Sequence, residues 1–173
     1  ITIPAGYDTT TPANSKLTLD ISGTKIKSYI NKAKINKTED YYKTSVYLTL
    51  ENSGSTSATI PAYHYAIQTK DGLLYPLTTD AKDVVVQPKD KKELQLKGSI
   101  PLANQTNGWK LVISQVEETS KLDIPVARYL LPAFTVEQSV NVETTPENQK
   151  RVLTIDEDGN KISTSVKKSS ISK

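Results

Sequence analysis

A chain of 173 residues holds one substantial domain with an appended hairpin or linker, and is too short for two domains of full size. Its 36% hydrophobic and 24% charged residues are a globular composition, and the 22 basic and 19 acidic residues are interspersed, so the net charge of +3 excludes nucleic acid as a default partner. The absence of cysteine excludes disulfides, thiolate metal sites and thiol catalysis, and no stretch reaches the roughly 20 apolar residues that span a membrane.

The chain begins at Ile1 and contains no methionine, so a processed form or a fragment is expected, with any signal peptide or lipid-anchor cysteine lying outside it. Residues 1–15 are rich in Thr, Pro, Ala and Asn without a sustained period, which reads as an extended lead-in or linker. From Lys16 the apolar residues alternate: Leu17, Leu19 and Ile21 predict a half-buried strand that ends at the turn Ser22-Gly23.

The clearest strand covers residues 42–51. Tyr42, Thr44, Val46, Leu48 and Leu50 share one face and Lys43, Ser45, Tyr47, Thr49 and Glu51 the other, so one side meets a core and the other water. Asn52-Ser53-Gly54-Ser55 breaks it. After Pro61, the residues Tyr63, Tyr65 and Ile67 lead to Lys70-Asp71-Gly72, where Asp-Gly supplies the positive φ of a tight hairpin and predicts that the flanking runs pair. A short run Val84–Val86, an alternating strand through Leu94, Leu96 and Ile100, and a strand opened by Trp109 after the Asn107-Gly108 turn follow. Phe134, Val136, Val140 and Val142 predict a last long strand. Helical spacing is absent, and short strands with turns every 8 to 12 or so residues indicate a sandwich or barrel.

Beyond Glu143-Thr144-Thr145-Pro146 the chain turns polar around one small pattern, Val152 and Ile155, then Asp156 to Asn160, then Ile162 and Val166, which reads as an isolated hairpin. The expected organisation is therefore a lead-in over 1–15, an immunoglobulin-like antiparallel β-sandwich over 16–142, and a polar linker with an additional C-terminal strand or hairpin over 143–173, docked on the sandwich or leading to a further domain.

The long strand closing on an Asn turn (Tyr42 to Asn52), the strand followed by Asp71-Gly72, the Pro-preceded strand from Pro88 to Ile100-Pro101 and the final Trp109-led strand together resemble the telokin-like, immunoglobulin-related extracellular domains of surface lipoproteins and secreted proteins of Gram-positive bacteria, many of unknown function. The resemblance covers roughly residues 16–136 and leaves out Ile124-Pro125 to Pro132-Ala133 and the tail. It implies a secreted or wall-associated sandwich and brings no catalytic residues with it.

His64 is the sole histidine, so a Ser-His-Asp triad, a His-based metal site or a histidine acid/base would all have to use it. It sits on the face opposite Tyr65 and Ile67, where a surface or sheet-packing role accounts for it without chemistry. Asp156, Asp158 and Asn160 alternate like the first ligands of a calcium loop. Lys161 stands where that loop requires Gly, however, and no Glu follows Glu157, so turn chemistry explains these residues and a weak metal site is the competing reading. Nine tyrosines against one Phe and one Trp are the unusual enrichment. An outward set with Tyr47, Tyr63 and His64 would make a binding platform for sugar or protein, against the alternative that the tyrosines are cross-strand pairs.

No catalytic motif and no cofactor-binding loop is present. The expected function is a non-catalytic extracellular module without cofactor, a structural spacer or protein-interaction domain of an exported, cell-surface or wall-associated protein, with exposed strand edges as the natural place for a partner chain to add. Its partner would be a protein or cell-wall glycan. A carbohydrate-binding module using exposed tyrosines is the first alternative, and a hydrolase with carboxylates assembled in space the second.

Overall fold

The computed structural model describes residues 9–116, 118–136, 150–155 and 160–165. In chain order the strands are β1 (Leu17–Ile21), β2 (Thr24–Lys37), β3 (Tyr41–Asn52), β4 (Ala58–Thr59), β5 (His64–Gln68), β6 (Leu74–Leu77), β7 (Val85–Val86), β8 (Lys91–Pro101), β9 (Lys110–Val116), β10 (Asp123–Leu130), β11 (Thr135–Val136), β12 (Lys150–Ile155) and β13 (Asn160–Ser165). The chain divides into a unit over Ile1–Thr135 and a second over Val136–Lys173.

The first unit is an antiparallel β-sandwich. One sheet runs β1-β2-β3-β8, with β11 beside β2, and the other runs β10-β9-β5-β6. Leaving aside β1, the order β2-β3-β8 is that of strands A-B-E of an immunoglobulin-like sandwich, and β10-β9-β5-β6 that of G-F-C-C′. The short pair β4 and β7 stands apart from both sheets. In the second unit β12 and β13 form an antiparallel hairpin, in unbroken register from Lys150↔Ser165 to Ile155↔Asn160.

The alternation of β3 decides its orientation: Thr44, Val46, Leu48 and Leu50 are buried, while Lys43 is exposed and Tyr47 half-buried. Val46, Leu96, Ile67, Leu111 and Ile113, drawn from both sheets, are wholly buried, each contributing about 1.5–3 kcal/mol by leaving water. Asn52, which ends β3, is itself buried and fully used. Its Nδ2 donates to the carbonyls of Thr56 (2.7 Å) and Val86 (3.0 Å), and its Oδ1 accepts from Gly54 N (2.9 Å). Trp109 packs edge-on against Tyr42 and Phe134, at 6.1 and 5.1 Å between ring centroids, and its Nε1 donates to Gln105 O four residues back (2.5 Å). The indole thereby does at the start of β9 what a corner tyrosine does at the start of strand F in immunoglobulin domains.

Two strands depart from the sequence reading. The longest strand, β2, has no counterpart in it. A β-bulge between Ile30 and Lys32 shifts the inward phase from Ile26, Ser28 and Ile30 to Ala33 and Ile35, so no single period runs through the segment. The closing strand was expected over Phe134–Val142, but β10 closes the second sheet and β11 is only two residues long; residues 137–142 lie outside the described residues. The prolines that made Ile124 to Ala133 look irregular are tolerated because β10 is an edge strand, with a bulge between Pro125 and Ala127. The β5–β6 hairpin forms across Asp71-Gly72 as the sequence predicts, with Gly72 at φ 84°.

Candidate functional site

The outer face of the β10-β9-β5-β6 sheet holds a trough of about 660 Å³. Alternation places it there. Tyr65 and Ile67 of β5, with Leu111 and Ile113 of β9, point into the core, so Ala66, Val112 and Ser114 point out. These short side chains form the floor, with Ala66 directly opposite Val112. Leu74 and Pro76 of β6 rise along one wall, Pro125 and Arg128 of β10 along the other. Val112 faces away from the core and is nonetheless only 4% exposed, which measures how far the walls shelter the floor.

Leu74, which lines the trough, is 59% exposed, and Leu73 (54%) and Leu122 (58%), next in sequence to the lining residues Leu74 and Asp123, are also large apolar residues left in water. One end is polar. His64 reaches from β5 across β9 so that its Nδ1 lies 3.0 Å from Asp123 Oδ1 and 3.2 Å from Oδ2. Ser114 is directly opposite His64 in the register, yet no hydrogen bond joins the two among the described residues, so the pair is not extended to a nucleophile. Chemically, the pair offers a donor and an acceptor to a bound backbone or polar side chain.

Tyr63 is half-buried at the same end, and its backbone N–H donates to Pro61 O (2.8 Å). Burial raises its hydroxyl above the ordinary tyrosine range, and burial, aided by Tyr63, pushes Tyr65 up to about 12. Both are therefore neutral hydroxyls in the physiological range. A smaller cavity of about 360 Å³, on the side of Ile60 and Val84, shares Tyr63, Tyr65 and Thr79 with the trough.

The structure brings Tyr63 and His64 together and separates them from Tyr47, which lies on the outer face of the other sheet. There the Lys32 ammonium sits 4.5 Å from the centre of the Tyr47 ring, and Gln95 Nε2 donates to its hydroxyl (3.0 Å). Tyr42 meets Trp109, and Tyr65 is buried, so the crowded tyrosines do not form one platform. Asp156 and Asp158 lie outside the described residues, and of Asn160 only the backbone at the start of β13 is described. Among the described residues no group of three or more His, Cys, Asp or Glu side chains could hold a metal ion, and no helix is long and apolar enough to cross a membrane.

Both edges of the trough-bearing sheet are blunted, contrary to the expectation of open edges. Thr11 N donates to Arg128 O (2.8 Å) and Thr11 O accepts from Leu130 N (2.9 Å) along β10, while β6 carries Pro76 and its neighbour Thr78 exchanges two bonds with Lys97 of β8 (2.8 and 2.7 Å). The floor and walls of the trough were not singled out by the sequence. Leu73-Leu74 directly after the Asp-Gly turn is the one signal that pointed to them.

No family model matches the chain, and no curated protein matches it in sequence. In structure it is similar to an uncharacterized β-sandwich protein of Clostridium difficile 630 (11% identity, 70% of this chain and 93% of that one, TM-score 0.46). It is also similar to the yjhA protein of Bacillus subtilis (12% identity, 70% and 99%, TM-score 0.44). At these values the likeness says nothing of activity; the antiparallel sandwich rests on the strand pairing itself.

Proposed function

We propose that the chain is a non-catalytic interaction module of an exported bacterial protein, of the telokin-like, immunoglobulin-related kind found in surface lipoproteins and secreted proteins, and that it binds an extended segment of a partner protein in the trough. The observation that carries this reading is the sheltered apolar floor of Ala66 and Val112 between walls of Pro76, Pro125 and the largely exposed Leu74. Soluble proteins rarely leave such residues grouped in water unless a partner covers them. The blunted edges favour docking on the face over addition of a strand. The exported location follows from the resemblance carried by residues 16–136, and protease accessibility on intact cells tests it.

A glycan-binding reading needs open aromatic faces. Lys32 covers Tyr47 and burial takes up much of Tyr63, so the trough suits apolar peptide side chains better than sugar rings. The test is selection of peptides from a random displayed library, followed by titration against Ala66→Trp, which fills the floor from an outward position, and Tyr47→Ala on the opposite face. The reading expects selected peptides that lose binding at least tenfold with Ala66→Trp and keep it with Tyr47→Ala. A library that enriches no peptide, or peptides indifferent to Ala66→Trp, contradicts it.

A further inference from the structure

The smaller cavity beside the trough, about 360 Å³, is walled by Tyr65 of β5 from one sheet and Leu94 of β8 from the other. Both residues are buried with their side chains turned into the sandwich, so the cavity lies between the two layers rather than on a face. Ile60 and Val84 also line it, and the segments they belong to are tied together by the bond from Ile60 N to Val84 O (2.8 Å). Because the cavity shares Tyr63, Tyr65 and Thr79 with the trough, a chain lying in the trough passes beside it.

Tyr65 is only 8% exposed, and its hydroxyl makes no hydrogen bond among the described residues. Sealing such a hydroxyl away would be costly. Among the described residues no fully buried side-chain oxygen is left without a partner, so the Tyr65 hydroxyl must reach open space. The side chain points inward from β5, and the interlayer cavity that it lines supplies that space. We propose that this cavity receives the side chain of a tyrosine in the partner segment, with its ring against Ile60, Val84 and Leu94 and its hydroxyl bonded to that of Tyr65. The inference rests on the trough as the docking place of that segment.

Size, walls and charge choose this occupant. The volume is at the small end of the roughly 300–1,000 Å³ range of ligand pockets, which suits one large side chain better than a whole cofactor. Ile60, Val84 and Leu94 offer an apolar surface to the body of that side chain. Lys82 and Asp83, both exposed, bring one charge of each sign to the lining, so neither an anion nor a cation is favoured. Burial keeps Tyr65 neutral at physiological pH, where it serves as donor and acceptor at once. A leucine or phenylalanine in the cavity would shut this hydroxyl off from water with nothing in return. Tyrosine joins an apolar ring to a hydroxyl at its tip, whereas the indole N–H of tryptophan stands at the side of its ring.

The experiment needs no knowledge of the partner. The whole labelled chain is titrated with 4-methylphenol, the tyrosine side chain as a free molecule, and with toluene, its counterpart without the hydroxyl. The phenol should shift the amides of Ile60, Tyr65, Val84 and Leu94, and toluene should bind there about fivefold or more weakly. Tyr65→Phe keeps the ring, and a melting temperature no lower than wild type shows that it is folded; the preference for the phenol should vanish in it. Library-selected peptides that are weakened by Ala66→Trp should carry a tyrosine. Changing it to phenylalanine should cost about fivefold or more in affinity for wild type and little for Tyr65→Phe. A phenol bound no tighter than toluene, a preference that survives Tyr65→Phe, or trough-dependent peptides without such a tyrosine would each overturn the anchor and leave the trough standing. A library that enriches no peptide removes both.

Discussion

Tyr129 of β10 and Ser28 of β2 are hydrogen-bonded through their hydroxyls in the middle of the sandwich, joining the two sheets by a contact between buried side chains. Ser28 Oγ also donates to Leu17 O (3.0 Å), so its single proton is engaged there and Tyr129 is the donor of the pair. Tyr129→Phe removes that bond without emptying the ring's place. The expected loss is about 1 kcal/mol, read from urea unfolding. A variant as stable as wild type would deny the bond any stabilising role.

The same tyrosine makes stability fall at high pH. Burial, the larger effect, pushes Tyr129 up to about 12 from an ordinary 10.0, against the smaller opposing influence of Ser28. The folded state thus holds its proton longer than the unfolded chain. The contribution is complete below pH 10 and is lost as pH rises toward 12, at about 1.4 kcal/mol per pH unit for this group. Unfolding free energies measured across that window should fall less steeply in Tyr129→Phe than in wild type. Parallel curves would contradict the burial account.

Asn52→Asp tests the turn that ends β3. A carboxylate there would face the carbonyls of Thr56 and Val86 with no proton to give, in a site only 1% exposed. The loss should be roughly 3–5 kcal/mol, comparable to stranding one member of a buried pair, and the fluorescence of the lone Trp109 follows the transition. A loss under about 1 kcal/mol would mean that the turn relaxes around the change.

Gly98→Ala tests the approach of β6 to β8. A Cβ there would stand 2.6 Å from Leu77 Cδ2 and 2.8 Å from the Pro76 carbonyl, and a backbone atom cannot simply swing aside. The expected cost is about 1–3 kcal/mol. Because Pro76 also forms a wall of the trough, peptide binding should weaken in the same variant. Unchanged stability and unchanged binding together would show that β6 moves freely.

What the sequence disclosed follows from which residues act locally. The all-β class, β3 with its inward Val46 and Leu48, the Asp71-Gly72 hairpin and the C-terminal hairpin were legible because alternation and turn chemistry are properties of neighbours in the chain. The strand β2 was hidden by its bulge at Asn31, and β10 by prolines that only an edge position tolerates. The trough depends on which strands become neighbours. Ala66 and Val112 carry no signal of their own until the register sets them side by side, and His64 gains Asp123 from 59 residues away. Tyr47 was grouped with Tyr63 because both lie in strand-like runs, but Tyr47 belongs to β3 and Tyr63 stands just before β5 of the other sheet.

The most direct measurement is residue-resolved amide shift mapping of the labelled chain with a library-selected peptide. The account predicts that the shifted amides cluster at Ala66, Val112, Ser114 and Asp123, with Tyr47 and its strand neighbours unmoved. Shifts centred on Tyr47, or scattered without a cluster, would contradict the assignment of the trough as the binding face.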